Sequence, residues 1–343
     1  MTNSSYKAIK TKMHMVNLVL LLLLPWVIVI SLCVGRYDVP ISQAFRLLIS
    51  TFADIEPTWT WQMETAVLNI RLPRVLLACL VGSALGLAGT AFQSVFQNPM
   101  AAPDILGASS AAAFGAALSI LMGLRSAGIT IVAFLFSIIS IFFVYIIGRK
   151  APGKKIVNLI LGGMVISSFF SAATSYIKLV ADPINQLPSI VYWMMGSLSG
   201  RKMDDVVFAL VPMLIAAVPL FLVRWKINVL TLSDEEAEAI GVNVNKFRLL
   251  VIVCATLLTA SAVSVSGLIG WVGLIVPHLC RKLVGNDNRV LVPCSMLLGA
   301  IFLLVVDDFS RNLLTTEIPI GILTALMGAP FFIYLITRKK GWS

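Results

Sequence analysis

The chain has 343 residues, of which 59% are apolar and only 12% charged, and its formal net charge is +10. Soluble domains carry about a quarter charged residues, and here the apolar residues run in blocks of about 20, the length that matches a hydrocarbon core of ~30 Å. This excludes a water-soluble globule. It also argues against a nucleic-acid-binding protein, because the Lys and Arg residues lie between the apolar blocks instead of along one stripe. Cys33, Cys79, Cys254, Cys280 and Cys294 fall mostly inside apolar segments with no CxxC and no paired spacing. Neither a disulfide framework nor a zinc site is implied.

Lys7, Lys10 and Lys12 precede an apolar run from Val16 to Gly35. That run is longer than a signal core and lacks a small-x-small cleavage site, so it reads as a first, uncleaved membrane helix. The hydropathy pattern predicts an all-α, polytopic membrane protein with about ten spans. They lie at about 16–35, 75–95, 105–123, 127–147, 156–180, 205–223, 247–267, 271–284, 290–306 and 320–337. The eighth is short for a spanning helix. With the N-terminus inside, the 26 basic residues sort as 17 inside and 9 outside. The positive-inside bias therefore places both termini in the cytoplasm. The whole chain reads as one transmembrane domain of a multi-pass protein of the cell's cytoplasmic membrane.

The second span opens on Arg71-Leu-Pro73-Arg74, where Pro73 suits the first turn of a helix. Its arginines oppose the helix dipole, so they either snorkel or pair with an acidic residue of a neighbouring helix. Gly82, Gly86 and Gly89 then form a small-residue stripe for close helix packing, within one subunit or across a dimer. Gln93 precedes Gln97-Asn98-Pro99-Met100 and Ala101-Ala102-Pro103-Asp104. Amides and prolines here break the helix, and irregular backbone at membrane depth survives only when buried or lining a water-filled path. Residues 93–107, ending at Gly107, are thus a gate candidate, with a plain cytoplasmic turn as the alternative. Gly148–Lys155 has the GxxxxGK spacing of a phosphate loop. It lacks the terminal Ser/Thr and a preceding strand, and is read as a chance match in a basic loop.

Trp193-Met194-Met195-Gly196-Ser197 follows in an outer segment, with adaptable methionines and a Trp placed as an interfacial anchor; Met194, Met195, Gly196 and Ser197 join the path and gate candidates. Arg201 and Lys202 lie near Asp204 and Asp205, as a self-satisfied patch or part of a docking face. In Ser233-Asp234-Glu235-Glu236-Ala237-Glu238-Ala239-Ile240-Gly241-Val242 the first residues cap a helix, the acids favour its positive end and Gly241 closes it. This short acidic helix on the inside is either a surface linker or a contact for a motor subunit. Gly267, Gly270 and Gly273 permit a tight re-entry before Pro277, His278 and Arg281. His278 is one of two histidines, which removes a multi-histidine metal site and leaves a structural hydrogen-bonding role. Asp307 and Arg311 are one turn apart and can pair. Glu317, Pro319 and Gly321 start the last span, and Pro330 is expected to kink it. No Asp or Glu falls at the midplane of a predicted span, unlike ion-coupled carriers, and no hydrolase constellation is present.

Taken together, RLPR at 71–74, the glycine run ending in Gln93, NPMAAPDILG at 98–107, WMMGSLSG at 193–200, EAEAIGV at 236–242, GLIGWVGLIVPHLCR at 267–281 and EIPIGILTALMGAP at 317–330 resemble the FecCD permeases of iron–siderophore, haem and vitamin B12 ABC importers. The resemblance spans about residues 16–338. It implies a vitamin B12 importer permease-like fold, no catalysis by this chain and no cofactor of its own. ATP and magnesium are implied on two partner ATPase subunits that grip 233–242. It also implies a second permease copy or sister, an extracytoplasmic binding protein, and Arg311 as a docking residue for that protein. An iron(III)-siderophore type chelate is the expected cargo, with cobalamin, haem or molybdate as alternatives within the class. An ATP-independent secondary transporter is the alternative outside it.

Overall fold

The computed structural model describes residues 3–337 except 52, 54, 153, 154, 233, 240 and 242; the side chains of 3–10, 155, 234, 235, 238 and 336 are likewise outside the description. The predicted basic end at 338–340 also lies outside it. Every regular element among the described residues is helical. In chain order they begin with α1 (Asn3–Cys33), α2 (Ile41–Ser50), α3 (Trp61–Glu64), a π-helical turn (Thr65–Arg71) and α4 (Leu72–Val95). Next come α5 (Ala108–Leu121), α6 (Ser126–Lys150), α7 (Lys155–Val180), α8 (Gln186–Met194), α9 (Met203–Leu222), α10 (Arg224–Ile227) and a 3₁₀ turn (Asn228–Thr231). The last are α11 (Asp234–Ala239), α12 (Val244–Ser266), α13 (Val272–Val284), α14 (Asn288–Asn312) and α15 (Ile320–Thr337).

Ten of these helices correspond one to one with the ten expected spans. Seven are long and apolar enough to cross a membrane, and α5 and α15 are shorter apolar helices. At 13 residues, α13 rises only about 20 Å, as its short apolar run implied. The boundaries move where charge was mistaken for an end. Helix α14 continues to Asn312 instead of stopping near 306, because Asp307 and Arg311 are buried and paired within it. The second span does not start at 75: helical backbone runs from Trp61 through the π-helical turn into α4. Leu72 N donates to Val67 O, five residues back. That wider turn accommodates Pro73, whose ring would clash with the carbonyl four residues earlier in a regular helix.

Helices α4 and α12 are the centre of the bundle, with 78% of their most apolar stretches buried, against 17% for α1 and α7. The small-residue stripe explains why α4 is central. A Cβ on Gly82 would lie 2.8 Å from the carbonyl carbon of Gly299 in α14, and one on Gly89 would lie 2.7 Å from that of Gly273 in α13. The stripe therefore packs inside this chain, backbone against backbone, as membrane helices do without a hydrophobic drive between them. Gly148–Lys150 form the last turn of α6, so the GxxxxGK match starts on a helix. All five cysteines are free thiols.

Candidate functional site

At one end of the bundle the arginines of the second span find different partners. Arg71 is buried and donates to the Leu32 and Cys33 carbonyls at 2.8 Å and to that of Tyr37. A cation thus caps the C-terminus of α1, where the dipole favours it. Neither snorkelling nor an ion pair describes it. Arg74 does make the ion pair: its Nε bonds both oxygens of Asp307 at 2.9 and 3.0 Å, and its Nη1 donates to Glu317 at 2.8 Å. Arg311 reaches Asp307 at 3.3 Å. It also donates to Asp308, to the Ser31 carbonyl at 3.2 Å and to Ser31 Oγ at 2.9 Å. Ser31 and Asp308 joined this cluster without any local sign in the sequence. Arg311 is only 7% exposed and turned toward α1, so the structure places this expected docking residue in the interior.

Beside it the three glycine-bearing motifs interlock. Ser197 N donates to Ser266 O at 2.7 Å, and Ile320 N donates to Gly196 O at 2.8 Å. Gly196 and Gly267 both have φ near +70° and meet face to face, each too close to the other strand of chain for a Cβ. Gly321 packs on the carbonyls of Met195 and Leu268. Met194 and Met195 line a groove of about 450 Å³ with Leu268 and α15. Trp193 is half-buried in α8 instead of standing free as an anchor. It shares a cleft of about 630 Å³ with Ser197 and Arg201. Arg201 pairs with Asp205 at 3.6 Å, and burial still pushes its guanidinium below its usual value. Lys202 N is capped by Asp205 at 2.9 Å, so half of this patch satisfies itself.

Two short helices end inside the bundle. Helix α5 starts at Gly107, whose φ is +80° and whose Cβ would lie 2.9 Å from Ser167 Oγ; α13 starts at Trp271, which holds φ +70° without being a glycine. Trp271 packs on Phe332 at 6.1 Å and over Gly328. Between the two helix starts lies a cavity of about 330 Å³ lined by Asp104, Ser109, Ser110, Thr259, Leu268 and Trp271 among others. The gate candidate 93–107 divides here. Asn98 forms a turn by accepting from Met100 N at 2.9 Å, and Pro99 and Met100 are exposed. Pro103 is buried against Gly273 and Thr259. Gln93 is buried too; it donates to Gly273 O at 3.2 Å and accepts from Arg281 at 2.5 Å. It joins α4 to α13 instead of facing a path. Gly270 has open space around the position of a Cβ, and Pro277 lies within α13. His278 packs edge-on against Phe331 at 5.9 Å, and its Nε2 has no hydrogen-bond partner among the described residues. Pro319 precedes α15 and accepts from Ile322 N at 3.1 Å; Pro330 lies inside that helix.

At the opposite end, α11 spans Asp234–Ala239, and Gly241 follows with φ +83°. Ala237 is buried, while Glu236 and Ala239 are exposed; Ser233 and Val242 lie outside the described residues. The segment leading into α11 is pinned twice. Gln97, at φ +48°, donates from its amide to the Leu230 and Leu232 carbonyls at 3.0 and 2.9 Å. Asn228 donates to Asp287 at 2.8 Å and accepts from Asn288 Nδ2 at 2.8 Å. These bonds tie the segment before α11 to the end of α4 and to the start of α14. Gln97 was hidden inside the broken-helix motif, and only its positive φ in three dimensions marks it.

The described residues form an all-helical bundle with seven helices long and apolar enough to cross a membrane, the architecture of a multi-pass membrane protein. The chain belongs to the FecCD transport family, whose pattern matches residues 20–338. It is therefore the membrane subunit of an ABC importer, a transporter component, multi-pass in the membrane. It is 40% identical to the molybdate import system permease MolB of Haemophilus influenzae over 94% of this chain and 95% of that one. A Helicobacter pylori permease provisionally assigned to iron chelatin transport is 40% identical over 81% of this chain and 84% of its own. A solved inward-facing ABC transporter, provisionally of metal-chelate type, superposes with a TM-score of 0.84 at 39% identity. That match covers 94% of this chain and 98% of the solved one.

Proposed function

We propose that this permease carries an iron(III)-siderophore type chelate into the cytoplasm, with both its termini on the cytoplasmic side. The supporting observation is the uncovered apolar side of α7 and α15, where Met164, Val165, Phe169, Tyr176 and Leu326 are 58–67% exposed. A second permease copy or sister permease meets this side and completes the path. A wall of such side chains offers a bulky chelate no fixed polar partner, so selection falls to an extracytoplasmic binding protein. Two ATP-binding cassette subunits hold ATP and magnesium and take α11 as their contact. Closure of those subunits moves α11, and the two permease halves rock so that the path opens to one side at a time.

A second reading, import of an oxyanion such as molybdate, is supported by the similarity to MolB. The cavity between the α5 and α13 starts also supports it, since Ser109, Ser110 and Thr259 offer hydroxyls there and helix N-termini favour anions. Asp104 on the same cavity weighs the other way. Uptake of labelled iron–siderophores, haem, cobalamin and molybdate by a strain lacking the chain, with and without its restoration, separates the readings. Restored uptake of molybdate alone overturns the chelate assignment. Uptake that persists without the ATPase subunits overturns the partnership.

A further inference from the structure

A groove runs between the last turns of α6, the first turns of α7 and the first three turns of α12, bordered by Leu106 from the segment before α5. Ile141, Val144, Leu159, Ile252 and Val253 make its wall, and its volume is about 270 Å³. From Ile141 to Arg149 it follows α6 for about 12 Å. The end nearest α11 is different in kind. Arg149, Lys246 and Arg248 line it there, with Asn245 and Tyr145. Arg149 and Lys246 are exposed, and neither pairs with a carboxylate among the described residues. Lys246 stands in the first turn of α12, where the helix dipole disfavours a cation and favours an anion beside it.

We propose that this groove seats one anionic phospholipid of the leaflet on the α11 side. Its phosphate sits between Arg149 and Lys246, and part of one acyl chain lies along Val144, Ile252 and Val253. Basic residues at the end of an apolar cleft between membrane helices carry the charge pattern of a lipid headgroup site. A free phosphate has no use for the apolar wall. The orientation proposed above supplies only the name of that leaflet, the cytoplasmic one. The lipid test below does not read transport, so its failure is separate from failure of the cargo assignment.

The test uses the purified permease with its ATPase partner, loaded with mixed phosphatidylglycerol and phosphatidylcholine, and counts retained lipids per permease by native mass spectrometry. The wild type is expected to keep one phosphatidylglycerol that phosphatidylcholine does not displace. Arg149→Gln with Lys246→Gln removes two basic contacts, and its phosphatidylglycerol affinity should fall about thirtyfold. Val253→Trp fills the wall and should lose the same lipid with every charge in place; both variants are first matched to the wild type in unfolding midpoint. Equal retention of the two lipids overturns the proposal, as does unchanged retention in both variants. Displacement by millimolar inorganic phosphate overturns it too. So does retention by the permease alone that vanishes when the ATPase docks, which would make the subunit the occupant.

Discussion

Asp307→Asn is the most revealing single change in this chain. Asp307 is fully buried, and it holds Arg74 through two hydrogen bonds and Arg311 at 3.3 Å. Removing one partner of a buried ion pair costs about 3–5 kcal/mol, most of it from the charge left behind. Here both arginines keep a second acid: Arg74 keeps Glu317, which is 30% exposed, and Arg311 keeps Asp308. The loss should therefore fall at the lower end, about 3 kcal/mol. Pairing Asp307→Asn with Arg74→Met takes both charges out together and should recover about half of it, the coupling expected of neighbours in one network. Reversible unfolding in mixed micelles, followed through a double-mutant cycle, gives both numbers. A single variant within about 1 kcal/mol of the wild type, or a double variant equal to the sum of the singles, refutes the reasoning.

Gln97→Leu removes two hydrogen bonds to the segment before α11 and so about 1–3 kcal/mol of local tethering. ATP hydrolysis should persist while uptake falls severalfold, and parallel loss of both would contradict a transmitting role. Gly241→Arg places a side chain at φ +83°, a strain of about 1–2 kcal/mol, beside the proposed motor contact; substrate-stimulated ATPase activity at the wild-type level would refute that contact. Gly82→Val drives a side chain into the Gly299 backbone. It should cost about 1–3 kcal/mol or more by overpacking, read as a lowered unfolding midpoint, whereas the same change at Gly200, with open space around it, strains only its own backbone.

Seven spans were legible because lipid imposes one crude rule, apolar length, and those helices obey it, while α5, α13 and α15 are shorter. The short acidic helix was legible because its acids and closing glycine are local signals, and the α4 stripe because small residues every three or four positions mean close approach. What stayed hidden depends on distance along the chain. Arg74 finds Asp307 across 233 positions, and nothing near either residue names the other. Gln93 looked like part of a gate because amides near a helix break usually face water, yet its neighbours bury it. Arg311 matched a docking position in the resemblance, but the structure gives its charge to α1 and to its own helix. Trp271 gave no sign of a left-handed backbone, since its residue type argues against one.

The π-helical turn at 65–71 acts as a phase shifter. A regular helix advances each residue by about 100°, and the wider turn absorbs one extra residue without lengthening the helix much. Everything before it is consequently rotated by about one residue's angle relative to α4. Met63, just before the turn, and Val67 and Leu68, within it, meet Val39, Ala44 and Leu47 in the small apolar cluster that seats α2 on the bundle. Helix α2 is thus keyed to the central helix by a single surplus residue. Its angular setting is fixed by counting along the chain, and a one-residue deletion upstream of Arg71 would turn that apolar face aside while leaving every residue of α4 in place.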